Sequence, residues 1–124
     1  MASSILKDAD CWLRHMSLDP YTGMDPPGIK VRSAQGMGAA DYFAGPYWVW
    51  SKLIENLADV GYDPNNMELL PYDWRLSFPL LEERDGYLTA LKNHIEYLHK
   101  KTGEKVVLIS HSFGGGLVLY FLQW

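Results

Sequence analysis

Apolar residues recur every three or four positions in two stretches of the chain, which is the spacing of one face of a helix. In the first stretch, "YWVWSKLIENLADV", this spacing predicts a helix that begins near Pro46 and stops at Gly61. In the second, it predicts the longest helix, over residues 81–101, with Gly103 as the stop. A shorter helix is predicted over residues 3–16, "SSILKDADCWLRHM".

Three short stretches have the patterns of strands. "IKVRS" at 29–33 alternates apolar and polar residues, "MELLP" at 67–71 is a brief apolar run, and "KVVLIS" at 105–110 has the β-branched run of a buried strand. An apolar, helix-compatible segment follows at 113–124. Strands and helices therefore alternate along the chain, which predicts an α/β fold with parallel strands and crossover helices.

Length, charge and cysteine content narrow the class of protein. The chain has 124 residues, enough for one small domain. Its net charge is −4 and no basic face is clustered, so we expect no nucleic-acid partner. Cys11 is the one cysteine, so it is either a free thiol or the partner of a cysteine outside this sequence. We expect neither a cofactor nor a metal.

The run at 106–124 has no charged side chain, so its hydropathy resembles that of a membrane span. Ser110, His111 and Ser112 interrupt it and three glycines follow, which favours two elements, a strand and then a helix, over one membrane helix. The N-terminus lacks the apolar core of a signal peptide. We therefore expect no targeting or anchor segment in this chain, and a small membrane protein anchored by 106–124 is the less favoured hypothesis.

The sequence "SHSFG" at 110–114 lies where the predicted strand meets the predicted helix. In that context, small-x-Ser-x-Gly is typical of a nucleophile elbow, in which a sharp turn presents a serine hydroxyl at the edge of a sheet. Gly114 gives the small residue needed after the serine, and Ser110 replaces the usual glycine before it. The pattern predicts Ser112 as a nucleophile and the backbone N–H of Phe113 as an oxyanion donor. The alternative is that Ser112 only caps the following helix.

The other members of a catalytic triad are not evident. In this kind of fold the acid and the histidine follow the serine, but "FGGGLVLYFLQW" after Ser112 contains neither. His94 and His99 lie five residues apart on the long predicted helix and so share no face. Asp73 precedes the serine, against the expected order. We therefore interpret Asp73 and Arg75, in "YDWR", as polar residues that stabilise a loop.

Several stretches together resemble the lecithin:cholesterol acyltransferase family, and most closely its phospholipid:diacylglycerol acyltransferase branch. They are "CWLRHMSLDPYTGMDPPGIKVRS", "ADYFAGPYWVWSKLIENLADVGY", "PYDWRLSF", "VVLISHSFGG" and "YFLQW". The resemblance implies a partial α/β-hydrolase fold over residues 1–124, with the nucleophile elbow near the C-terminus and 1–45 as a lid or loop region. It also places Ser112 at the position of the family's nucleophile, and it implies that the disulfide partner of Cys11 lies upstream.

The resemblance implies a function as well. Members of this family take a fatty acyl group from a phospholipid and pass it, through a serine acyl-enzyme, to diacylglycerol or a sterol-like acceptor. It also implies that the protein acts at a membrane surface and is associated with the endoplasmic reticulum membrane. We expect this chain to be a fragment that ends just after the elbow, inactive by itself because acid and histidine are missing. The alternative is a non-catalytic, truncated paralogue that binds lipid or a full-length partner.

Overall fold

The computed structural model describes residues 8–40 and 48–124. Their regular elements are α1 (Ala9–Met16), a short 3-10 helix (Met37–Ala40), α2 (Ser51–Asp59), α3 (Phe78–Asp85), α4 (Tyr87–Thr102) and α5 (Phe113–Gln123). The described residues fall into two compact units. One unit contains 8–17, 25–40 and 48–71, with α1, the 3-10 helix and α2; the other contains 18–24 and 72–124, with α3, α4 and α5.

The predicted α/β fold with parallel strands is wrong, because none of the described residues forms a β-strand. The stretches at 29–33, 67–71 and 105–110 are irregular backbone. A strand is defined by its ladder of hydrogen bonds to a neighbour. None of the three stretches finds such a neighbour within the described chain, so their strand-like composition is not expressed as a sheet.

The segment 105–110 keeps one property of a strand, the alternation of its two sides. Val106 and Leu108 are half-buried, whereas Val107 is 77% and Ile109 is 54% exposed. The prediction that this segment is buried on both faces is therefore wrong. Its β-branched residues are typical of a central strand, which is buried on both faces. Here only the face with Val106 and Leu108 is partly buried.

The helix predicted over 81–101 is two helices, α3 and α4, separated at Gly86. Gly86 has φ +62°, and its N–H donates to the carbonyl of Glu82 at 2.8 Å, which ends α3. Its own carbonyl accepts from the N–H of Ala90 at 2.9 Å, which begins α4. The carboxylate of Glu82 crosses the break and accepts hydrogen bonds from the N–H and the hydroxyl of Thr89. The predicted stop at Gly103 is confirmed, since its φ is +74°.

The remaining helices agree with the predictions in part. α1 begins after Asp8, whose side chain accepts from the N–H of Cys11 at 2.9 Å; residues 3–7 lie outside the described chain. α2 begins at Ser51, and Pro46, its predicted start, lies outside the described residues. The helix predicted at 113–124 is confirmed as α5.

A cluster of leucines forms the core of the second unit. They are Leu76, Leu81, Leu88 and Leu117, each no more than 2% exposed. Leu117 brings α5 onto this core, while Leu119 and Leu122 on the same helix are 65% and 69% exposed. The loop 72–77 and the start of α5 are therefore held on one common core. No helix in the described part of the chain has the length and apolar character that crossing a membrane requires.

Candidate active site

Ser112 has an unusual backbone conformation. It precedes α5 with φ 54° and ψ −121°, and apart from glycines it is the one residue in the described ranges with positive φ. Such a conformation costs an L-residue about 1–3 kcal/mol and persists only where its surroundings enforce it, most often at functional sites. The Ser112 side chain is exposed and makes no capping hydrogen bond to α5. The alternative interpretation, a serine that caps the helix through its hydroxyl, is therefore wrong.

The backbone after Ser112 presents N–H groups at the start of a helix. The N–H groups of Gly114 and Gly115 donate to the carbonyls of His111 and Ser112, at 3.0 and 2.9 Å. The N–H of Phe113 has no recorded acceptor in the part of the chain that the structure describes. Unpaired N–H groups at a helix N-terminus carry partial positive charge and favour an anion. The geometry is thus compatible with the predicted oxyanion donor at Phe113.

The turn at 110–114, called the Ser112 turn below, has two side chains close to the position where residue 114 lacks one. A Cβ at Gly114 would lie 3.4 Å from Ser110 Cβ and 3.6 Å from the hydroxyl oxygen of Tyr72. These are ordinary contact distances, so an alanine would fit beside both. Tyr72 therefore lies next to the start of α5 at this position.

Aromatic side chains connect the Ser112 turn to the core. The ring of Phe113 lies 5.0 Å from that of Phe78 and 6.3 Å from that of Tyr72, measured between centroids. Phe78 also contacts Tyr120, two turns further along α5, with the ring centroids 5.4 Å apart. Aromatic pairs at these separations contribute about 0.5–1.5 kcal/mol each beyond the area they bury. They help to hold the strained serine in place.

A buried ion network follows Tyr72 in the loop. Arg75 donates from Nε and Nη2 to the two carboxylate oxygens of Asp73, at 2.8 and 2.6 Å. Arg84, on α3, donates from Nη2 to Asp73 at 2.8 Å and also pairs with Asp85 at 2.6 Å. The side chains of Asp73, Arg75 and Arg84 are at most 8% exposed. This network fixes the loop to α3, which supports the structural interpretation of Asp73 and Arg75.

Burial and hydrogen bonding shift three ionisable groups near the turn. Burial alone would raise the pKa of Asp73, but hydrogen bonds from Arg75 and Arg84 outweigh it and lower the pKa to about 2. Burial raises the pKa of Tyr72, and it raises the pKa of Tyr87 to about 12. At neutral pH, therefore, Asp73 is ionised and both tyrosines are neutral.

Three of the histidines lie on helices α1 and α4. Nδ1 of His99 donates to the carbonyl of Glu104 at 2.7 Å, and Nδ1 of His15 donates to the carbonyl of Cys11 at 2.8 Å. His94 lies half-buried on α4. Cys11 is exposed. Within the described ranges, no group of three or more His, Cys, Asp or Glu side chains could hold a metal ion.

The contact of Tyr72 with the Ser112 turn was missed by sequence reasoning. Tyr72 and Gly114 are far apart in sequence, and no periodicity connects a loop tyrosine to a helix glycine. The adjacent "DWR" sequence was the available signal, because it indicated a fixed loop without indicating what the loop supports.

Comparison with known proteins identifies the class. The profile of the lecithin:cholesterol acyltransferase family matches residues 1–124, so the chain belongs to this family and the predicted resemblance is confirmed. The chain is 56% identical to "Phospholipid:diacylglycerol acyltransferase" of Schizosaccharomyces pombe and 48% identical to the protein of the same name in Saccharomyces cerevisiae. It is 36% identical to "Phospholipid--sterol O-acyltransferase" of Arabidopsis thaliana.

These matches cover almost all of the chain and little of the relatives. They span 100%, 100% and 98% of this chain, but only 20%, 19% and 20% of the three relatives, respectively. The chain thus spans about a fifth of the length of the curated relatives it matches. No solved structure matches the chain at a significant level.

Proposed function

We propose that this chain carries the nucleophile of an O-acyltransferase that moves a fatty acyl group from a phospholipid to diacylglycerol. Ser112 is the nucleophile and the N–H of Phe113 is one oxyanion donor. The observation that carries the proposal is the conformation of Ser112: φ is 54°, and the hydroxyl is exposed and uncapped at the start of α5. Family membership and the names of the relatives support the substrate classes.

The proposed reaction has two steps. Ser112 Oγ attacks an ester carbonyl of the phospholipid and loses its proton to a base, and the developing oxyanion accepts a hydrogen bond from Phe113 N–H. The lysophospholipid leaves and the acyl group stays on Ser112. The hydroxyl of diacylglycerol then attacks the acyl-enzyme, and triacylglycerol and free Ser112 result. A sterol-like hydroxyl is the alternative acceptor, as the name of the Arabidopsis thaliana relative suggests.

Residues 113–124 of this chain include no Asp, Glu or His that could act as the base. Without a base the serine hydroxyl stays protonated and is a weak nucleophile. We therefore expect the 124-residue chain alone to be inactive. Because both proposed substrates are lipids, we propose that the reaction takes place at a membrane surface, at the endoplasmic reticulum, with residues 1–45 as a lid or loop region.

A chimaera tests this proposal. The 124 residues replace the matched 127-residue segment of the Schizosaccharomyces pombe relative, and transfer of a labelled acyl chain from phosphatidylcholine to diacylglycerol in detergent-phospholipid micelles is measured. We expect activity in the chimaera and a loss on the order of 10⁴-fold or more in Ser112→Ala. Ser110→Ala is the matched control, two residues earlier in the same turn, and should retain activity. Transfer that survives Ser112→Ala would refute the assignment.

A binding function without catalysis is the second candidate. The observation that favours it is the exposure of apolar side chains at Val107, Ile109, Leu119 and Leu122. In this case the chain alone would float with phosphatidylcholine vesicles and the chimaera would be inactive. An active chimaera that requires Ser112 decides against it.

A further inference from the structure

The hydroxyl of Tyr72 lies beside Gly114 in the Ser112 turn. Its hydroxyl oxygen would be 3.6 Å from a Cβ at position 114. Gly114 itself is buried. The first turn of α5 is therefore bounded on this side by the tip of one side chain, which comes from a distant part of the sequence.

Tyr72 is itself held from several directions. Its ring meets Tyr87 edge to face, with centroids 5.7 Å apart and planes at 62°, and it meets the ring of Phe113 at 6.3 Å. The next residue is Asp73, which two arginines fix. A side chain with this surrounding packing has little rotamer freedom, so it can act as a rigid support.

The positive φ of Ser112 needs such a support. A strained conformation persists only when contacts around it over-determine it. Ser112 makes no capping bond of its own, so the constraint has to act through its neighbours. The neighbours that fit this role are Phe113, whose ring packs against Tyr72 and Phe78, and Gly114, which has the hydroxyl of Tyr72 beside it.

We propose that Tyr72 is a positioning residue for Ser112, whose tip and ring hold the first turn of α5 in the geometry that keeps Ser112 in its strained conformation. The role in acyl transfer rests on the proposed function. The effect on the conformation of Ser112 does not, and it can be measured separately.

NMR of the isotopically labelled 124-residue chain tests the conformational effect. A residue with positive φ has a short distance between its own amide and Hα protons and therefore a strong cross-peak between them. We expect a strong cross-peak for Ser112 in the wild type and a smaller decrease in Tyr72→Phe, which keeps the ring and loses only the hydroxyl beside Gly114. In Tyr72→Leu and Tyr72→Met, which lose both the ring and the hydroxyl, it should weaken to the level of helical residues.

Phe121→Leu is the matched control. Phe121 packs against the same core, and its ring lies 6.3 Å from that of Trp124 at the far end of α5. The variant removes a similar aromatic ring but leaves the ring contacts of Phe113 in place. The Ser112 cross-peak should stay strong in this variant. If it weakens as much as in Tyr72→Leu, or if it stays strong in both Tyr72→Leu and Tyr72→Met, the proposal is refuted. Tyr72→Met decides if Tyr72→Leu fails to fold.

The chimaera then measures the catalytic consequence. We expect Tyr72→Leu to lower kcat on the order of 10²-fold with KM little changed, since displacement of a reacting group by about 1 Å has that effect. Tyr72→Phe, which keeps the ring, should lower kcat less than Tyr72→Leu does. Tyr97→Phe, an exposed tyrosine on α4, is the control for loss of a hydroxyl. An inactive chimaera together with the expected NMR result would refute the proposed function and leave the positioning role intact. Equal kcat in Tyr72→Leu and wild type would refute the catalytic role.

Discussion

The buried carboxylate of Asp73 gives the sharpest stability prediction. It accepts hydrogen bonds from Nε and Nη2 of Arg75 and shares Arg84 with Asp85. Asp73→Ala would leave the Arg75 guanidinium, 4% exposed, without that carboxylate. Breaking a buried ion pair from one side costs about 3–5 kcal/mol. Against a total stability of roughly 5–15 kcal/mol for a domain, this loss would leave the second unit marginal.

The lowered pKa of Asp73 predicts that the free energy of unfolding depends on pH. Its pKa is about 2 in the folded chain and 3.8 as the ordinary value. Because folding lowers this pKa, the stabilisation is complete above about pH 4 and is lost as the pH falls towards 2. The difference corresponds to about 2 kcal/mol as an upper value, and less where solvent reaches the guanidinium groups.

Urea unfolding followed by tryptophan fluorescence, repeated between pH 7 and pH 2, measures both effects. Glu55→Ala is the control, since its partner Lys52 and Glu55 itself are each 57% exposed, and the pair contributes at most about 1 kcal/mol. Asp73→Ala should also flatten the pH dependence between 4 and 2. The reasoning fails if Asp73→Ala lowers the free energy of unfolding no more than Glu55→Ala does, or if the variant keeps the pH dependence of the wild type.

Three further stability predictions use the same unfolding assay. Gly115→Ala should raise the free energy of unfolding by about 0.5–1 kcal/mol, since the new Cβ would meet nothing within 4 Å. Gly23→Ala should lower it, because Gly23 has φ +70° and its Cβ would lie 2.7 Å from Leu80 Cδ1. Changes of the same sign in the two variants would contradict this. Ser112→Gly should raise it by about 1 kcal/mol by relieving the positive φ, and a loss of stability would show that the conformation is not strained. Glu82→Ala should lower it by about 1 kcal/mol by removing the hydrogen bonds at the start of α4, whereas the exposed Glu83→Ala should have little effect; equal effects would argue against this role.

The sequence predicted local elements better than their assembly. The helix at 113–124 and the stop at Gly103 follow from composition and from glycine's access to positive φ, which are properties of a few adjacent residues. The break at Gly86 was missed because the apolar spacing continues across it, from Leu81 to Leu88 and Leu91. Periodicity reports which face is buried and does not report whether the backbone is continuous.

Strands were overpredicted for a related reason. The composition of residues 106–110 indicates that the segment is able to form a strand. A strand forms only when a neighbouring segment is present to pair with it. The Ser112 turn was predictable because it is encoded in five adjacent residues. Tyr72 was not, since its contact with Gly114 depends on how the loop and α5 meet on the leucine core.

Gly86 also limits how the length of the chain can vary. One residue closes α3 with its N–H and opens α4 with its carbonyl, so no spacer separates the two helices. A residue inserted here would either join one of the helices, which turns the positions beyond it by about 100°, or separate both ends from their hydrogen bonds. The first outcome would move Leu88 and Leu91 off the core. We expect insertions and deletions among homologues to avoid this junction and to collect in loops such as 61–66.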